Sequence, residues 1–446
     1  VSNAYKLFSL YILAHRAIPN LLDGLKTSQR KALWVSKSRA RNFVKTEALA
    51  GYVYAEGNYH HGPASLSQAM SMMARDFQGA NNIPLMDGDG AFGSFLDPTG
   101  YGSPRYTGVR VSKWFDLLFD ARDFEIAPTA VDPEDPEPEH FLPILPVALL
   151  NGVSGVAVAY ATEICAYDPM DILNRVEDLL AGKKPRKRLI PWYKGYTGEV
   201  TLGEEGKFQM TGKMETVGRN KVKVTEVPIQ YSQEKYIALL GKLLDKGKID
   251  SWVDMSKEHW DITIKLNDAS PTGEELEKAL GLRVSLPENI NFIENGQIIG
   301  FDTADEYIEK WFEKRLPFFQ ARKENEIRKV DEHRLNVASK LALNAVLTEH
   351  GGKLSGLSGE ECGRATLKLT NITALTKVKV QDIALAVPVT FKTVQLSAIG
   401  DDKVKDLQEK AVQLNKVREE LVARSITEDW KNDIQRFRTE YKKRMA

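Results

Sequence analysis

Residues 303–350 carry a long, charged, helical pattern with no proline after Pro317. A second such stretch runs from about residue 401 to the end, and in it Leu407, Leu414 and Leu421 recur every seven residues. Heptad spacing turns one narrow apolar stripe toward a partner helix. Two amphipathic helices lying on a core would instead spread apolar residues over a wider face. We therefore read two long helices framing a small globular insert at about 351–400, an antiparallel coiled coil with a tip. The remainder of the 446 residues is then left for further domains, at about 100–200 residues each.

Residues 1–160 read as one compact unit of helices and turns. Tyr5, Phe8 and Ile12 recur at helical spacing, Pro19 and Gly24 break the chain, and a basic helix begins at Leu25. Gly62 and Pro63 mark another helix start, because proline suits the first helical position. Leu66, Met70, Met73 and Phe77 then share one face, as a core stripe does. Helix, helix and turn followed by a glycine-rich stretch fit a winged-helix unit. Residues 132–139 alternate acids with prolines and can form neither helix interior nor central strand. Across 161–302 the pattern changes. Residues 197–202, 221–227 and 261–266 read as strands and 236–244 as a helix. Asn295-Gly296, between the apolar runs 290–293 and 297–301, signals a hairpin. The expected fold class is α+β multidomain, divided at 1–160, 161–302 and 303–446.

Formal net charge is zero, so global charge points to no partner. Local charge does: residues 1–50 hold nine Lys and Arg against Asp23 and Glu47. Lys183, Lys184, Arg186, Lys187 and Arg188 form a second basic run. Such clusters suit a phosphate-binding face, although a short run also fits an ordinary solvated surface. Cys165 and Cys362 make neither a disulfide framework nor a zinc site and fit a reducing compartment. No stretch approaches the ~18 apolar residues of a membrane span, and no signal peptide is visible. The chain begins at Val1 rather than Met, which leaves room for further N-terminal residues.

Several motifs fail on inspection. Gly88, Gly90 and Gly93 satisfy G-x-G-x-x-G, but another turn at Asp97-Pro98 follows where a dinucleotide site needs a crossover helix. Asp87 and Asp89 resemble metal carboxylates, yet Asp-Gly-Asp-Gly reads as a turn and no further acidic cluster completes a two-metal site. The phosphate-binding G-x-x-x-x-G-K-[ST] motif is missing, so ATP binding is not encoded here. His60 and His61 lack the spacing of zinc ligands. What remains is a set of phosphate-complementary groups. Lys26, Arg30 and Lys31 lie on an expected helix. His60 or His61 and Arg105 can donate to a phosphate oxygen, and Tyr106 can attack phosphorus. A tyrosine hydroxyl, with its pKa about 10, needs neighbouring cations to do so. Phosphoryl transfer asks for an in-line nucleophile and cations around the equatorial oxygens. The chain supplies these. Either the chemistry is metal-free or metal carboxylates come from another chain.

The ordered blocks resemble a known family. They are Arg16-Ala17-Ile18-Pro19, Asp23-Gly24-Leu25-Lys26 with Gln29-Arg30, Tyr59-His60-His61-Gly62 and Asp87-Gly88-Asp89-Gly90-Ala91-Phe92-Gly93-Ser94. Ser103-Pro104-Arg105-Tyr106 and Leu149-Leu150-Asn151-Gly152-Val153-Ser154-Gly155 follow, then Thr225-Glu226-Val227-Pro228, Arg315-Leu316 and Arg322-Lys323. In this order they resemble the DNA-cleaving subunit of type IIA topoisomerases. The adjacent histidines, Leu142-Pro143-Ile144-Leu145-Pro146 and the length are most similar to the medium subunits of T-even bacteriophages. The resemblance implies a winged-helix DNA-cleavage domain, a tower domain over 161–302 and a coiled coil ending in a dimer gate. It implies a homodimer in which each Tyr106 cuts one strand and becomes linked to a 5′ phosphate, so that a second duplex passes through the break. Arg105 and Tyr106 would be the active pair, with Arg30 and His61 lining the scissile phosphate. Arg16, Lys26, Lys31 and His60 would contact DNA. Val156 would stand where relatives carry an isoleucine that wedges between base pairs. Mg²⁺ and ATP would be held by a partner subunit carrying the metal-binding and ATPase domains, with no metal site in this chain. No membrane is involved; the location implied is cytoplasmic, the host bacterial cytoplasm for a phage-encoded chain. The chain ends soon after the return helix, which argues against supercoiling by a DNA-wrapping C-terminal propeller. Two alternatives are the cleavage subunit of a bacterial decatenase and a non-catalytic scaffold that bends DNA. A scaffold has no need of Arg105 beside Tyr106.

Overall fold

The computed structural model describes residues 17–157, 160–184, 187–203, 206–267, 270–351, 357–393 and 401–445. Tyr5, Phe8, Ile12, Arg16 and Arg186 lie outside the described residues. The chain forms two compact units. One comprises the residues up to Leu316 together with those from Lys431 on, and the other is Pro317–Trp430.

In the first unit, helices Thr27–Arg39, Thr46–Glu56 and Pro63–Ala74 bury Leu33, Leu49, Val53, Leu66, Met70 and Met73. Phe77 lies past the end of the third helix and is half-buried. The first helix starts at Thr27, two residues later than expected. The Asp23 carboxylate accepts the Leu25 N–H at 2.9 Å and Gly24 sits at φ +66°, which holds 23–25 in a turn. Gly24 has no alternative: a Cβ there would lie 2.6 Å from the Ala148 nitrogen. Strands β1 (Val44–Lys45), β2 (Met86–Asp89) and β3 (Gly108–Val111) form an antiparallel sheet in the order β1-β3-β2. The expected Asp-Gly-Asp-Gly turn is thus a strand. The Phe92 ring covers Gly88, 2.6 Å from where a Cβ would stand, and the chain reverses only at Gly90, φ +107°. Trp34, Phe115, Phe119, Phe124 and Phe141 pack edge-on and tilted behind the first helix.

Helix Val147–Asn151 leads into a hairpin of β4 (Val153–Ala157) and β5 (Tyr160–Ile164). Beyond helix Pro169–Leu180 lie two antiparallel sheets. The strands are β6 (Glu199–Leu202), β7 (Phe208–Thr211), β8 (Lys213–Gly218), β9 (Lys221–Glu226), β10 (Ile249–Asp254), β11 (Ile262–Leu266) and β12 (Arg283–Leu286). The orders are β10-β11-β9-β8 and β12-β7-β6. Helix Gln233–Asp245 seals the larger sheet through Tyr236, Leu240, Trp260, Ile262 and Ile264. β6, β9 and β11 were legible as alternating runs. The edge strand β8 exposes most of its residues and β10 half of them, and both carry bulges, so alternation is lost there. β13 (Ile290–Glu294) and β14 (Gln297–Phe301) pair across Asn295 (φ +49°) and Gly296 (φ +72°), the hairpin that Asn-Gly signalled.

Helix Ala304–Glu349 runs 46 residues with Pro317 inside it. Its first turns stay in the first unit. The Tyr307 hydroxyl donates to the Leu21 carbonyl at 2.9 Å and the Trp311 indole to that of Leu22 at 2.8 Å. Arg315 is buried on Asp123 at 2.6 Å. In the second unit this helix runs antiparallel to Asp401–Ala423: Glu326 meets Arg424, Asp331 meets Arg418, and Arg334 meets Asn415. Short helices Gly359–Thr366, Thr370–Thr376 and Val380–Thr393 fill the insert around Cys362, Ile383 and Val387, with Leu407 and Leu414 packed on that core. The expected single helix from 401 to the end is two, Asp401–Ala423 and Ile426–Met445. The Ser425 carbonyl accepts the Asp429 N–H at 3.1 Å and its hydroxyl meets that of Thr427 at 2.8 Å, so a second helix begins there. Residues of this last helix return to the first unit, with Phe437 against Trp114 at 5.4 Å.

Candidate active site

Tyr106 closes a tight turn, its N–H donating to the Ser103 carbonyl at 2.9 Å, just before β3. The turn is held from both sides. The Glu47 N–H donates to the Pro104 carbonyl at 3.1 Å, and the Gly102 N–H to that of Ala91 at 2.8 Å. Beneath it the Thr46 and Thr107 hydroxyls meet at 2.9 Å in a buried contact. This fixed base projects a side chain that is 75% exposed. Arg105 is exposed beside it, and among the described residues no hydrogen bond or ion pair engages its guanidinium. Lys45 donates to the Tyr106 carbonyl at 3.2 Å. Sequence reasoning counts Lys45 only within the basic cluster; β1–β3 pairing, Lys45 opposite Gly108, is what brings it here.

Arg30 and Lys31 are placed differently from an open phosphate site. Arg30 is buried, with Nε and Nη2 on the Asp23 carboxylate at 2.6 and 3.2 Å and Nη2 on the Leu25 carbonyl at 3.3 Å. Burial alone would lower its pKa, but the Asp23 carboxylate outweighs burial and raises it. Asp23 also accepts the Phe141 N–H at 2.9 Å, so this pair ties the motif to the aromatic core. Lys31 is buried between Asp135 at 2.6 Å and Glu137 at 2.8 Å of the acidic, proline-rich loop. Burial raises the Glu137 pKa against the pull of Lys31. Asn58 also donates to Asp135. Lys31, His60 and His61 line one cavity with Thr27, Asp132 and Asp135; Arg105 and Tyr106 do not line it. His60 is exposed, while half-buried His61 meets the Tyr59 ring edge-on at 5.3 Å.

Lys26 and Val156 come together at the β4–β5 hairpin. The Lys26 ammonium donates to the Ser154 carbonyl at 2.7 Å, and burial lowers its pKa against the opposing effect of Glu163. Val156 is 81% exposed on β4. Asn151 anchors the hairpin's entry, its amide giving and receiving 2.8 Å bonds with the Ile83 backbone. Gly152 follows at φ +72°, where a Cβ would press on the Ile164 carbonyl at 2.8 Å. Asp87 is paired with Arg110 at 2.9 Å. Among the described residues there is no group of three or more His, Cys, Asp and Glu able to hold a metal, and no helix long and apolar enough to cross a membrane. Cys165 and Cys362 are free and buried.

This chain matches the family of DNA gyrase/topoisomerase IV A subunits over residues 16–435. It is 33% identical over 347 residues to the DNA topoisomerase medium subunit of Enterobacteria phage T4, covering 74% of this chain and 76% of that protein. It is 31% identical over 357 residues to the mitochondrial DNA topoisomerase 2 of Dictyostelium discoideum, covering 78% of this chain and 28% of that one. Candida albicans DNA topoisomerase 2 is 31% identical over 326 residues, covering 69% of this chain and 22% of that one. The chain thus spans only about a quarter of these eukaryotic relatives. The solved DNA-binding, cleavage and re-ligation domain of Plasmodium falciparum topoisomerase II shares the fold, with a TM-score of 0.79 at 23% identity, covering 97% of this chain and 62% of that one. The family match spans nearly the whole chain, including every block of motifs read above. The chain belongs to the family of the DNA gyrase and topoisomerase IV A subunits, within the type IIA topoisomerases.

Proposed function

We propose that this chain is the DNA-breaking and rejoining subunit of an ATP-dependent type II topoisomerase. The observation that carries the reading is Tyr106, solvent-exposed on a turn fixed at its base and flanked by the open guanidinium of Arg105. In the reaction the Tyr106 Oη attacks a backbone phosphorus, loses its proton and displaces the deoxyribose 3′ oxygen, which is protonated as it leaves. A 5′-phosphotyrosyl ester remains. Rejoining is the reverse: the 3′ hydroxyl attacks and Tyr106 departs. Arg105 and Lys45 supply positive charge where the transferring phosphoryl group becomes most anionic. His60 and His61 face the same duplex at the start of the Pro63–Ala74 helix. Arg30 enters as a positioning residue that holds the Asp23-Gly24-Leu25-Lys26 turn, and Lys31 as one that holds the acidic loop. Val156 is the apolar wedge that parts a base step and bends the duplex.

The first three-stranded sheet with its three helices serves as the winged-helix cleavage domain (1–160). The two later sheets form the tower (161–302), and the antiparallel helices with their insert form the coiled coil and dimer gate (303–446). Among the described residues no group of three or more His, Cys, Asp and Glu could hold a metal, and Asp87 is paired with Arg110. We assign Mg²⁺ and ATP to a partner subunit, whose metal would stabilise charge on the reacting phosphate. The working particle is a homodimer of this chain with that partner on duplex DNA, in the cytoplasm. The test is to incubate the chain and its Tyr106→Phe variant with duplex DNA and Mg²⁺, with and without the partner, and quench with detergent. Protein-linked 5′ ends are expected only with the Tyr106 hydroxyl and the partner. Linkage by Tyr106→Phe would overturn the assignment. DNA binding without linkage under any condition would leave a bending scaffold.

A further inference from the structure

The hairpin that carries Val156 is held by an element far along the chain. In the register of β4 and β5, Val156 stands opposite Ala161. The Ala161 carbonyl accepts from two side-chain amides, Asn289 at 2.9 Å and Asn291 at 2.8 Å. Asn291 also donates to the Asn289 side-chain oxygen at 3.0 Å, which locks the two amides to each other. The neighbouring Thr162 hydroxyl, fully buried, lies within donating distance of the Asn289 and Asn291 carbonyls at 3.2 and 3.0 Å, and the Asn291 N–H reaches it at 3.2 Å. Backbone bonds between Glu163 and Asn289, 2.9 and 2.8 Å, continue the seam. On the opposite strand Lys26 holds the Ser154 carbonyl, and Gly155 leaves no room for a Cβ beside the Ala17 carbonyl.

An isolated two-stranded hairpin is marginal in water. Parting a base step costs a few kcal/mol, and a wedge that yields under that load bends nothing. The doubly accepted carbonyl sits at the residue paired with the wedge, where a flexing hairpin would give way first. A carbonyl has two lone pairs, and both are used.

We propose that Asn289 and Asn291 are positioning residues that stiffen the β4–β5 hairpin, so that Val156 can bend the bound duplex. The inference rests on the reading of Val156 as a wedge, and the experiment separates the two. The full chain is bound to a short duplex labelled at both ends, and the bent fraction is read by energy transfer alongside affinity. Val156→Ala is expected to lower the bent fraction. Asn289→Ala/Asn291→Ala is expected to lower the ratio of bent to straight duplex by about five- to tenfold at nearly unchanged affinity. Adding Val156→Ala to it should bring no further loss, because both act through one element. Thr162→Val, which keeps side-chain volume, provides the same test should the double variant fail to fold. If Val156→Ala lowers bending while the asparagine and threonine variants do not, the clamp is overturned and the wedge stands. Additive losses overturn it too, because the asparagines would then act elsewhere. If Val156→Ala leaves bending unchanged, the wedge reading falls and the clamp falls with it.

Discussion

A guanidinium buried on one carboxylate and a guanidinium in open solvent answer differently to removal. Arg30 and Asp23 are both out of water and share two hydrogen bonds. Arg30→Ala strands the Asp23 charge, so a loss of ~3–5 kcal/mol in stability is expected in urea unfolding. Arg105 is exposed, and among the described residues no group engages its guanidinium, so Arg105→Ala should stay within ~0.5 kcal/mol of wild type. Its effect belongs in the chemistry, where losing one charge stabiliser lowers the rate of covalent linkage by ~10²–10³-fold. Stability unchanged in Arg30→Ala, or a marked fall in Arg105→Ala, would reverse the two roles. The residue types were readable in the sequence, since Arg30, Lys31 and Arg105 stood out as phosphate-complementary cations. Their partners were not. Lys31 meets Asp135, 104 positions away, and only folding shows that Arg30 and Lys31 are both neutralised while Arg105 stays open. Exposure is likewise a property of the fold, which is why Arg105 and Arg30 looked equivalent.

Elements were legible where one local rule acted alone. Asn295-Gly296 can occupy the left-handed region that a tight hairpin needs, so its strands appear where expected. Gly88 misled, because glycine serves a ring-covered strand as readily as a turn. The break at Ser425 lacks glycine or proline; its local signal is Ser425 with Glu428 three residues on, the pattern of a helix start. Leucines every seven residues did not reveal that the facing helices also meet through polar groups. Arg334 lies buried on Asn415 at 2.8 Å, and Asp331 accepts from Arg418 at 2.7 Å and also pairs with Arg334. Partial burial raises the Asp331 pKa, but the hydrogen bonds from Arg418 and Arg334 outweigh it, and the folded value lies below the ordinary one. The stabilisation is therefore present above the unfolded value of about 3.9 and is lost as pH falls through the folded value. Asp331→Asn should cost ~1 kcal/mol or less at neutral pH, since water screens this half-exposed carboxylate. Its deficit should shrink on acidification below about pH 3.9. Thermal melts of both proteins at neutral and acid pH measure this, and a deficit independent of pH would assign the cost to packing.

On the proposed function a double-strand break needs two tyrosines, and each chain offers one Tyr106, so that function asks for a dimer. In the second unit, Leu385 and Val389 stand four residues apart on the Val380–Thr393 helix, 78% and 65% exposed, while Ile383 and Val387 of the same helix are buried. The helix is thus apolar on two faces, and among the described residues only one of them is covered. Such a face suits the isologous contact of a two-fold dimer, in which one patch meets its own copy. Leu385→Asp/Val389→Asp should leave folding within ~0.5 kcal/mol per site, because both side chains are already in solvent. It should also shift the sedimentation of the free chain from dimer to monomer, since the change places like charges on both sides of a self-complementary patch. With the partner and DNA present, linkage of Tyr106 to DNA should continue, because the attacking turn lies in the other unit. Duplex passage should fall, because the proposed gate would no longer close behind the transported segment. A variant that remains dimeric would move the gate contact away from this helix. One that loses covalent linkage in step with dimerisation would make assembly a condition of the chemistry at Tyr106.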